Sequence, residues 1–383
     1  MLAQSHTVFT AANGRDPDTE SQLAVWGVSY CPIRIARAGI NPLADLVTLL
    51  DLIRLVQRVK PDIVLSYTIK PVIYGGLAAR LCGVQNIFSM IEGLGRAFMP
   101  RESFTHMLSA LAAKGLYRIG LPGSIRVFFL NPDDLNQFVK AGYVPAQKAV
   151  LLNGIGIDLA YYRKEQLPEP SCFRFLMIAR LLKDKGVREY VAAANIVRAY
   201  RQDVEFVLVG GLDENPSSIR QEELDTWQRD GLIDYVGYMD DVRPLIRDCH
   251  VYVLPSYREG TPRTVLEAMA TGRAIITTDA PGCRETVCLK DEGGGQRTED
   301  RGQKSEIGDQ QPTTNNRQLA TMKIGRNGIL VPVKDAAALA EAMEFLLTHP
   351  EQIAIMGRES RRYAEERYDV HQVNAVMLRE MGL

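Results

Sequence analysis

The sequence predicts an α/β protein of two doubly wound, Rossmann-like domains, and three observations carry that prediction. Short apolar runs rich in Val, Ile and Leu alternate with helix-period stretches from end to end. Their lack of polar alternation marks parallel strands covered by helices on both faces. The pattern comes in two sets, and 383 residues suffice for two separate cores.

In the first half the runs His6–Thr10, Val28–Ile33, Asp62–Tyr67, Gln85–Ile91, Ile125–Asn131 and Ala149–Leu152 read as strands, with a helical stretch at Leu43–Val59. In the second half the strands are Phe173–Ala179, Val204–Val209, Ile233–Val236, Val251–Leu254, Ala274–Thr278 and Gly328–Pro332, with helices at Val187–Tyr200 and Ala336–Thr348. Gly, Pro and charged residues replace the periodic pattern near Asn153–Ser171, which predicts the junction there. The expected domains are 1–160 and 161–370, with a closing helix over 371–383 that returns to the first domain. Residues 289–326 have almost no apolar periodicity and many Gly, Gln, Asp, Glu, Arg and Asn residues, so a disordered surface insertion is expected. Met1–Gln4 reads as the end of a helix running into a strand. A doubly wound domain normally opens with a strand, a Gly-rich turn and a helix, and that unit is expected to be missing. Open parallel sheets bind ligands beyond the carboxyl ends of their strands. Two facing domains would therefore enclose a reaction cleft.

Composition narrows the function classes. A net charge of -1 argues against a nucleic-acid binder. Residues 1–165 hold 17 Lys and Arg against 12 Asp and Glu, a mildly basic half suited to an anionic membrane or a phosphorylated acceptor. Six cysteines without a C-x-x-C pair fit reduced thiols, and five histidines show no metal-ligand spacing. Asp16-Pro-Asp18 reads as a turn rather than a metal motif. No apolar run is long enough to span a bilayer, and no signal segment opens the chain. The expected location is cytoplasmic, with peripheral membrane contact through the apolar stripe Phe104, Leu108, Leu111 and Leu116, edged by Lys114 and Arg118.

The strongest motif is Glu259-Gly-Thr-Pro-Arg-Thr-Val-Leu-Glu267, after a buried strand and at a helix start. The backbone amides of Arg263, Thr264 and Val265 are expected to lack intrahelical partners and to receive a phosphate. Glu259 is placed to reach sugar hydroxyls, and Glu267 a ribose diol. Arg180 and Lys185 follow the first strand of the second domain, where two cations can hold a diphosphate. Gly210-Gly211 closes another strand and permits close backbone approach to a ligand. In the first half, Lys70 and Tyr74 lie beyond one strand end, offering a cation and a stacking ring. Glu92, with Gly93 and Gly95, follows another strand end.

Arg180, Lys185, Gly210-Gly211, Glu259 and Glu267, with Pro281-Gly282-Cys283-Arg284-Glu285 and Asn327-Gly-Ile-Leu-Val-Pro332, come in an order and spacing that resembles the donor domain of glycosyltransferase family 4. The resemblance covers most of the chain and implies the GT-B fold, a retaining reaction and no bound metal or other cofactor beyond a sugar-nucleotide donor. It assigns the donor diphosphate to Arg180 and Lys185, the ribose to Glu267 and the transferred sugar to Glu259. The uracil of a UDP-sugar is expected near the turn after Tyr235–Tyr238. Ser66-Tyr-Thr-Ile-Lys70-Pro-Val-Ile-Tyr74-Gly-Gly76 and Met90-Ile-Glu92-Gly-Leu-Gly95 are similar to the acceptor domain of a branch that adds N-acetylhexosamines to sugars on undecaprenyl diphosphate. It implies acceptor contacts at Lys70, Tyr74, Gly93 and Gly95 and a catalytic role for Glu92. Two other readings of the same fold are a sugar-nucleotide 2-epimerase, which needs more acid and base groups around the sugar ring, and an impaired remnant lacking its opening strand.

Overall fold

The computed structural model describes residues 2–35, 41–94, 104–169, 172–213, 215, 217–289 and 322–383, with only the backbone at 104–110. These residues divide into two compact units. One holds Met1–Leu152 with Ala375–Leu383, the other Asn153–Asn374.

In the first unit the strands are β1 (Val8–Asn13), β2 (Val28–Ile33), β3 (Ile63–Tyr67), β4 (Asn86–Ile91), β5 (Arg126–Phe129) and β6 (Ala149–Leu151). The helices are α1 (Pro17–Val25), α2 (Pro42–Val59), α3 (Gly76–Leu81), α4 (Phe104–Gly120) and α5 (Pro132–Lys140). All strand pairs are parallel, yet they form two sheets: β1-β2 alone, and β3-β4-β5-β6. Helix α2 starts where Asn41 accepts hydrogen bonds from the Leu43 and Ala44 amides, with Pro42 preset for the first turn. Thr48, Leu52 and Val56, one turn apart, form its buried face, and left-handed Lys60 ends it. Leu52 joins β2 to the main core of the unit through Ile33.

The second unit contains β7 (Phe173–Ile178), β8 (Val204–Val209), β9 (Asp234–Gly237), β10 (Val251–Leu254), β11 (Ala274–Thr278), β12 (Lys323–Ile324) and β13 (Gly328–Val331). Its helices are α6 (Val187–Arg198), α7 (Gln221–Arg229), α8 (Arg243–Arg247), α9 (Arg263–Thr271), α10 (Ala336–Thr348) and α11 (Pro350–Arg367), followed by α12 (Val370–Met381). One sheet runs β12-β13-β11-β10-β7-β8-β9. It is parallel except for β12, and chain order reverses between β7 and β10. That reversal is the switch point where doubly wound sheets hold ligands.

Three expected boundaries shift. The division falls at Leu152/Asn153 rather than after 160, because Gly154 packs on Thr261 and the Ile157 amide donates to the Tyr368 carbonyl. The helix placed at 371–383 is α12, and its residues from Ala375 on group with the first unit, where Glu380 pairs with Arg126 at 2.9 Å. The insertion drawn at 289–326 is too wide: Leu289 bridges Gly325, and Lys323–Ile324 pairs antiparallel with β13. Residues 290–321 lie outside the described residues.

Candidate active site

The site of the second unit is built on the switch point. Lys185 ends the turn after β7, and Glu259 lies in the loop after β10. Their side chains meet, Lys185 Nζ to Glu259 Oε1, at 2.5 Å, with 17% and 14% exposure. The Lys185 turn is clamped to the end of β10: the Asp184 carbonyl accepts from the Tyr257 amide at 2.8 Å and from Ser256 Oγ at 3.1 Å. Gly186 completes the clamp with φ +75°, and any Cβ there would meet the Pro255 carbonyl oxygen at 2.1 Å. On the Glu259 side, the Glu259 amide donates to the Pro281 carbonyl at 2.9 Å. Gly282, at φ +81°, lies so close that a Cβ would stand 2.2 Å from the Glu259 carbonyl oxygen. The Pro281-Gly282 motif is thus the support on which the Glu259 loop rests.

Thr264 ties the start of α9 to the end of β7, its Oγ1 donating to the Ile178 carbonyl at 3.3 Å. Arg180 stands two residues beyond that carbonyl. It faces outward and reaches Asp213 at 3.4 Å, with 68% of its side chain exposed. Gly210 ends β8: its amide donates to the Gly237 carbonyl, and its carbonyl accepts from the Tyr235 hydroxyl at 2.8 Å. Gly211 lies beside Tyr238, which is 73% exposed.

Helix α9 begins one residue later than expected, with extended Pro262 as its N-cap. The row of unpaired amides is therefore shorter than read from the sequence. The Val265 amide donates to the Pro262 carbonyl at 3.1 Å, which leaves Arg263 and Thr264 in the open first turn. Glu267 is 5% exposed, and burial raises its carboxyl above the ordinary range. Tyr162 and Arg263 both hydrogen-bond it, the latter at 3.2 Å. Tyr162 carries no motif, so sequence reasoning missed it; only the structure brings it to Glu267.

The first unit treats its expected site residues differently. Lys70 is not a free cation: it pairs with Asp45 of α2 at 2.7 Å, with 16% and 6% exposure. Tyr74 is not an open stacking ring, being 8% exposed in the core. Its hydroxyl bonds the same Asp45, and burial first, then Asp45, pushes it up to about 12. Asp45 is the residue that organises this corner. It escaped sequence reasoning because an acid in the first turn of a helix is ordinary. The chain reaches Lys70 through Thr68, a β-branched residue at φ +65°, and leaves through a π-helical turn at Pro71–Gly75. A left-handed Thr costs roughly 1–2 kcal/mol, and both features gather at functional sites. Glu92 follows β4 and is half-buried, and burial alone raises its carboxyl. Gly93 adopts φ +156°, and Gly95 lies outside the described residues.

Asp16 is an N-cap, accepting from the Thr19 amide at 3.1 Å. In α4, Leu111 is 61% exposed, Leu116 packs on the core, and Arg118 stacks 5.3 Å from the Tyr143 ring centre. The side chains of Phe104 and Leu108 lie outside the described residues. Among the described residues no helix is long and apolar enough to cross a membrane.

Comparison with known proteins agrees with this architecture. The family model for glycosyl transferases group 1 matches residues 172–299, and that for glycosyl transferase 4-like proteins matches residues 3–124. The N,N'-diacetylbacillosaminyl-diphospho-undecaprenol alpha-1,3-N-acetylgalactosaminyltransferase of Campylobacter jejuni is 30% identical over 273 residues, 68% of this chain and 70% of that protein. The UDP-Gal:alpha-D-GlcNAc-diphosphoundecaprenol alpha-1,3-galactosyltransferase of Escherichia coli is 27% identical, covering 64% of each. In fold, the chain is similar to the sucrose-phosphate synthase of Thermosynechococcus elongatus (TM-score 0.75, 18% identity, 99% of this chain and 89% of that one). It is also similar to Anabaena HepE in complex with UDP (TM-score 0.69, 16% identity, 98% and 91%). The chain is a glycosyltransferase of the GT-B fold and belongs to glycosyltransferase family 4.

Proposed function

We propose that the enzyme transfers a hexose or N-acetylhexosamine, with N-acetylgalactosamine the first choice, from a UDP-sugar to a sugar carried on undecaprenyl diphosphate. In this reading the configuration at the anomeric carbon is retained, no metal or other cofactor takes part, and the protein works in peripheral contact with the inner face of an anionic membrane. The activities named for the Campylobacter and Escherichia relatives support the donor and acceptor classes.

The observation that carries the chemistry is the Lys185–Glu259 pair across the switch point. Without donor, each charge neutralises the other. A nucleotide diphosphate entering beside Lys185 competes with Glu259 for the ammonium, and the displaced carboxylate then turns to the hydroxyls of the transferred sugar. Arg180, exposed and two residues past the Thr264 anchor, swings in as the second cation. Arg263 and Thr264 offer first-turn amides to a phosphate, Gly210 and Gly211 let the nucleotide approach the backbone, and Glu267 receives the ribose diol.

As the acceptor hydroxyl bonds to the anomeric carbon, the bond from that carbon to the β-phosphate oxygen breaks. The hydroxyl proton passes to the departing phosphate on the same face. Lys185 and Arg180 stabilise the charge that collects there, so catalysis is mainly electrostatic and positional. Glu92, its carboxyl raised by burial, orients the acceptor hydroxyl. The test is a screen of UDP-sugars against a short-chain polyprenyl-diphosphate sugar, read by product mass. The reading requires one donor to add one hexosyl or N-acetylhexosaminyl unit. Hydrolysis alone, or an epimerised donor with no acceptor present, contradicts it.

A further inference from the structure

Glu267 has more support than its own motif supplies. A buried carboxylate persists as an anion only where donors meet it. Two do so here: Arg263, one turn earlier in α9, at 3.2 Å, and the hydroxyl of Tyr162, from the segment ahead of β7. The Arg263 side chain is 65% exposed and screened by water. Tyr162 is buried and belongs to the core of the second unit. The fixed donor is therefore the tyrosine.

Three sets of bonds place it. Asp158 Oδ1 accepts from the Ala160 and Tyr161 amides, both at 2.9 Å, and the Asp158 carbonyl accepts from the Tyr162 amide at 2.9 Å. The chain thus folds into a turn that ends on Tyr162. Arg361 of α11 donates from Nη1 to the Tyr162 carbonyl at 2.9 Å and to the Ala270 carbonyl at 2.8 Å. The Glu165 amide donates to the Thr271 carbonyl at 3.1 Å. These bonds lace the segment to the last turn of α9, the helix that carries Glu267. The Tyr161 ring meets the Tyr162 ring edge-on at 5.1 Å, and Arg243, gripped by Asp241 in a two-point bond, caps Tyr161 at 4.1 Å. None of these contacts uses the Tyr162 hydroxyl, which is left for Glu267.

We propose that Tyr162 is a positioning residue for the nucleotide: its hydroxyl keeps Glu267 ionised and turned so that the remaining lone pairs of the carboxylate face the ribose diol of the donor. An ionised carboxylate has about four acceptor positions. Arg263 and Tyr162 occupy one each, which leaves a pair for the two ribose hydroxyls. The proposal rests on the ribose assignment of Glu267 made above, whereas the Tyr162–Glu267 bond does not. The titratable and charged groups that act on Glu267 are Arg263 of its own helix, Tyr162, and Tyr252 of β10. Burial raises the carboxyl and the Tyr162 bond lowers it, so loss of that hydroxyl moves it further up.

The test uses the full chain with Tyr162→Phe, which removes the hydroxyl and keeps the ring against Tyr161, and with Tyr162→Leu, which removes the ring too. Calorimetry measures UDP, 2′-deoxy-UDP and pyrophosphate from about pH 5 to 8, around the raised carboxyl. Tyr162→Phe is expected to weaken UDP by roughly three- to tenfold, to narrow the gap between UDP and 2′-deoxy-UDP, and to leave pyrophosphate unchanged. The pH midpoint of UDP binding should move upward. In turnover the loss should appear as a higher donor KM with kcat held, because the ribose contact is the same before and during transfer. Wild-type UDP affinity and an unmoved pH midpoint in Tyr162→Phe overturn the proposal. So does a loss confined to Tyr162→Leu, or an equal loss for UDP and pyrophosphate, either of which makes the residue packing alone. Glu267→Gln separates this proposal from the reading beneath it. If that variant keeps the wild-type preference for UDP over 2′-deoxy-UDP, the ribose assignment falls and takes the proposal with it. If it loses the preference while Tyr162→Phe keeps it, the assignment stands and the role of Tyr162 falls.

Discussion

The two units handle their charged residues in opposite ways. In the second, Lys185 and Glu259 arrive on separate loops and pair with each other at the surface of the switch point, held by a dense frame of backbone bonds. In the first, Lys70 is paired with an acid that is itself almost wholly buried, and Tyr74 is drawn to that same acid. The two lysines are about equally sheltered, so the difference lies in the acids. Glu259, 14% exposed on a loop, can give up its lysine to a ligand, whereas separating the Lys70 pair leaves Asp45, 6% exposed, charged inside the protein.

That contrast can be broken at several points. The largest effect is expected from Lys185→Ala, which removes a charge that receives the diphosphate and stabilises it as it departs. Turnover at saturating donor should fall by roughly ten- to a thousandfold, and an unaltered kcat rejects the role of Lys185. Next comes Asp45→Asn, which leaves half-buried Lys70 without its counter-charge. Urea unfolding should show a loss of roughly 1–3 kcal/mol. A change under ~0.5 kcal/mol, the usual surface value, would make the pair ornamental.

A smaller and more diagnostic effect is expected from Glu259→Gln. If the carboxylate competes with diphosphate for Lys185, the amide should raise UDP affinity by roughly three- to tenfold while transfer declines. Weaker UDP binding would show that Glu259 helps the nucleotide rather than holding its place. The smallest effect is a pH dependence at Glu267. Its folded pKa lies above the ordinary 4.5, so the native state keeps a proton that the unfolded chain has lost. Its share of stability is full below 4.5 and is lost as pH rises through the raised value. Glu267→Gln should flatten that decline in Tm measured from pH 4 to 7; an identical slope in both proteins denies it.

Much of the architecture was legible because parallel strands write themselves as unbroken apolar runs. Val28–Ile33, Val204–Val209, Val251–Leu254 and Ala274–Thr278 have the limits read from the sequence. That Lys185 and Glu259 lie close together was legible because loops after adjacent strands converge at a switch point. What stayed hidden is what sequence spacing does not encode. Tyr162 reaches Glu267 from a segment about a hundred residues away, and Asp45 meets Lys70 across 25 positions. The Val265 amide was misread because Pro262 takes the N-cap rather than the first helical position. Lys323–Ile324 was absorbed into a polar segment because two residues are too few to show a period.

The division of the first unit into two sheets has a consequence for how this molecule breathes. Strands β1 and β2 share hydrogen bonds only with each other in the sheet, and a lone two-stranded ribbon has little cooperativity of its own. In deuterated water its amide protons should be replaced before those of β4, β7 or β10, which have a strand on either side.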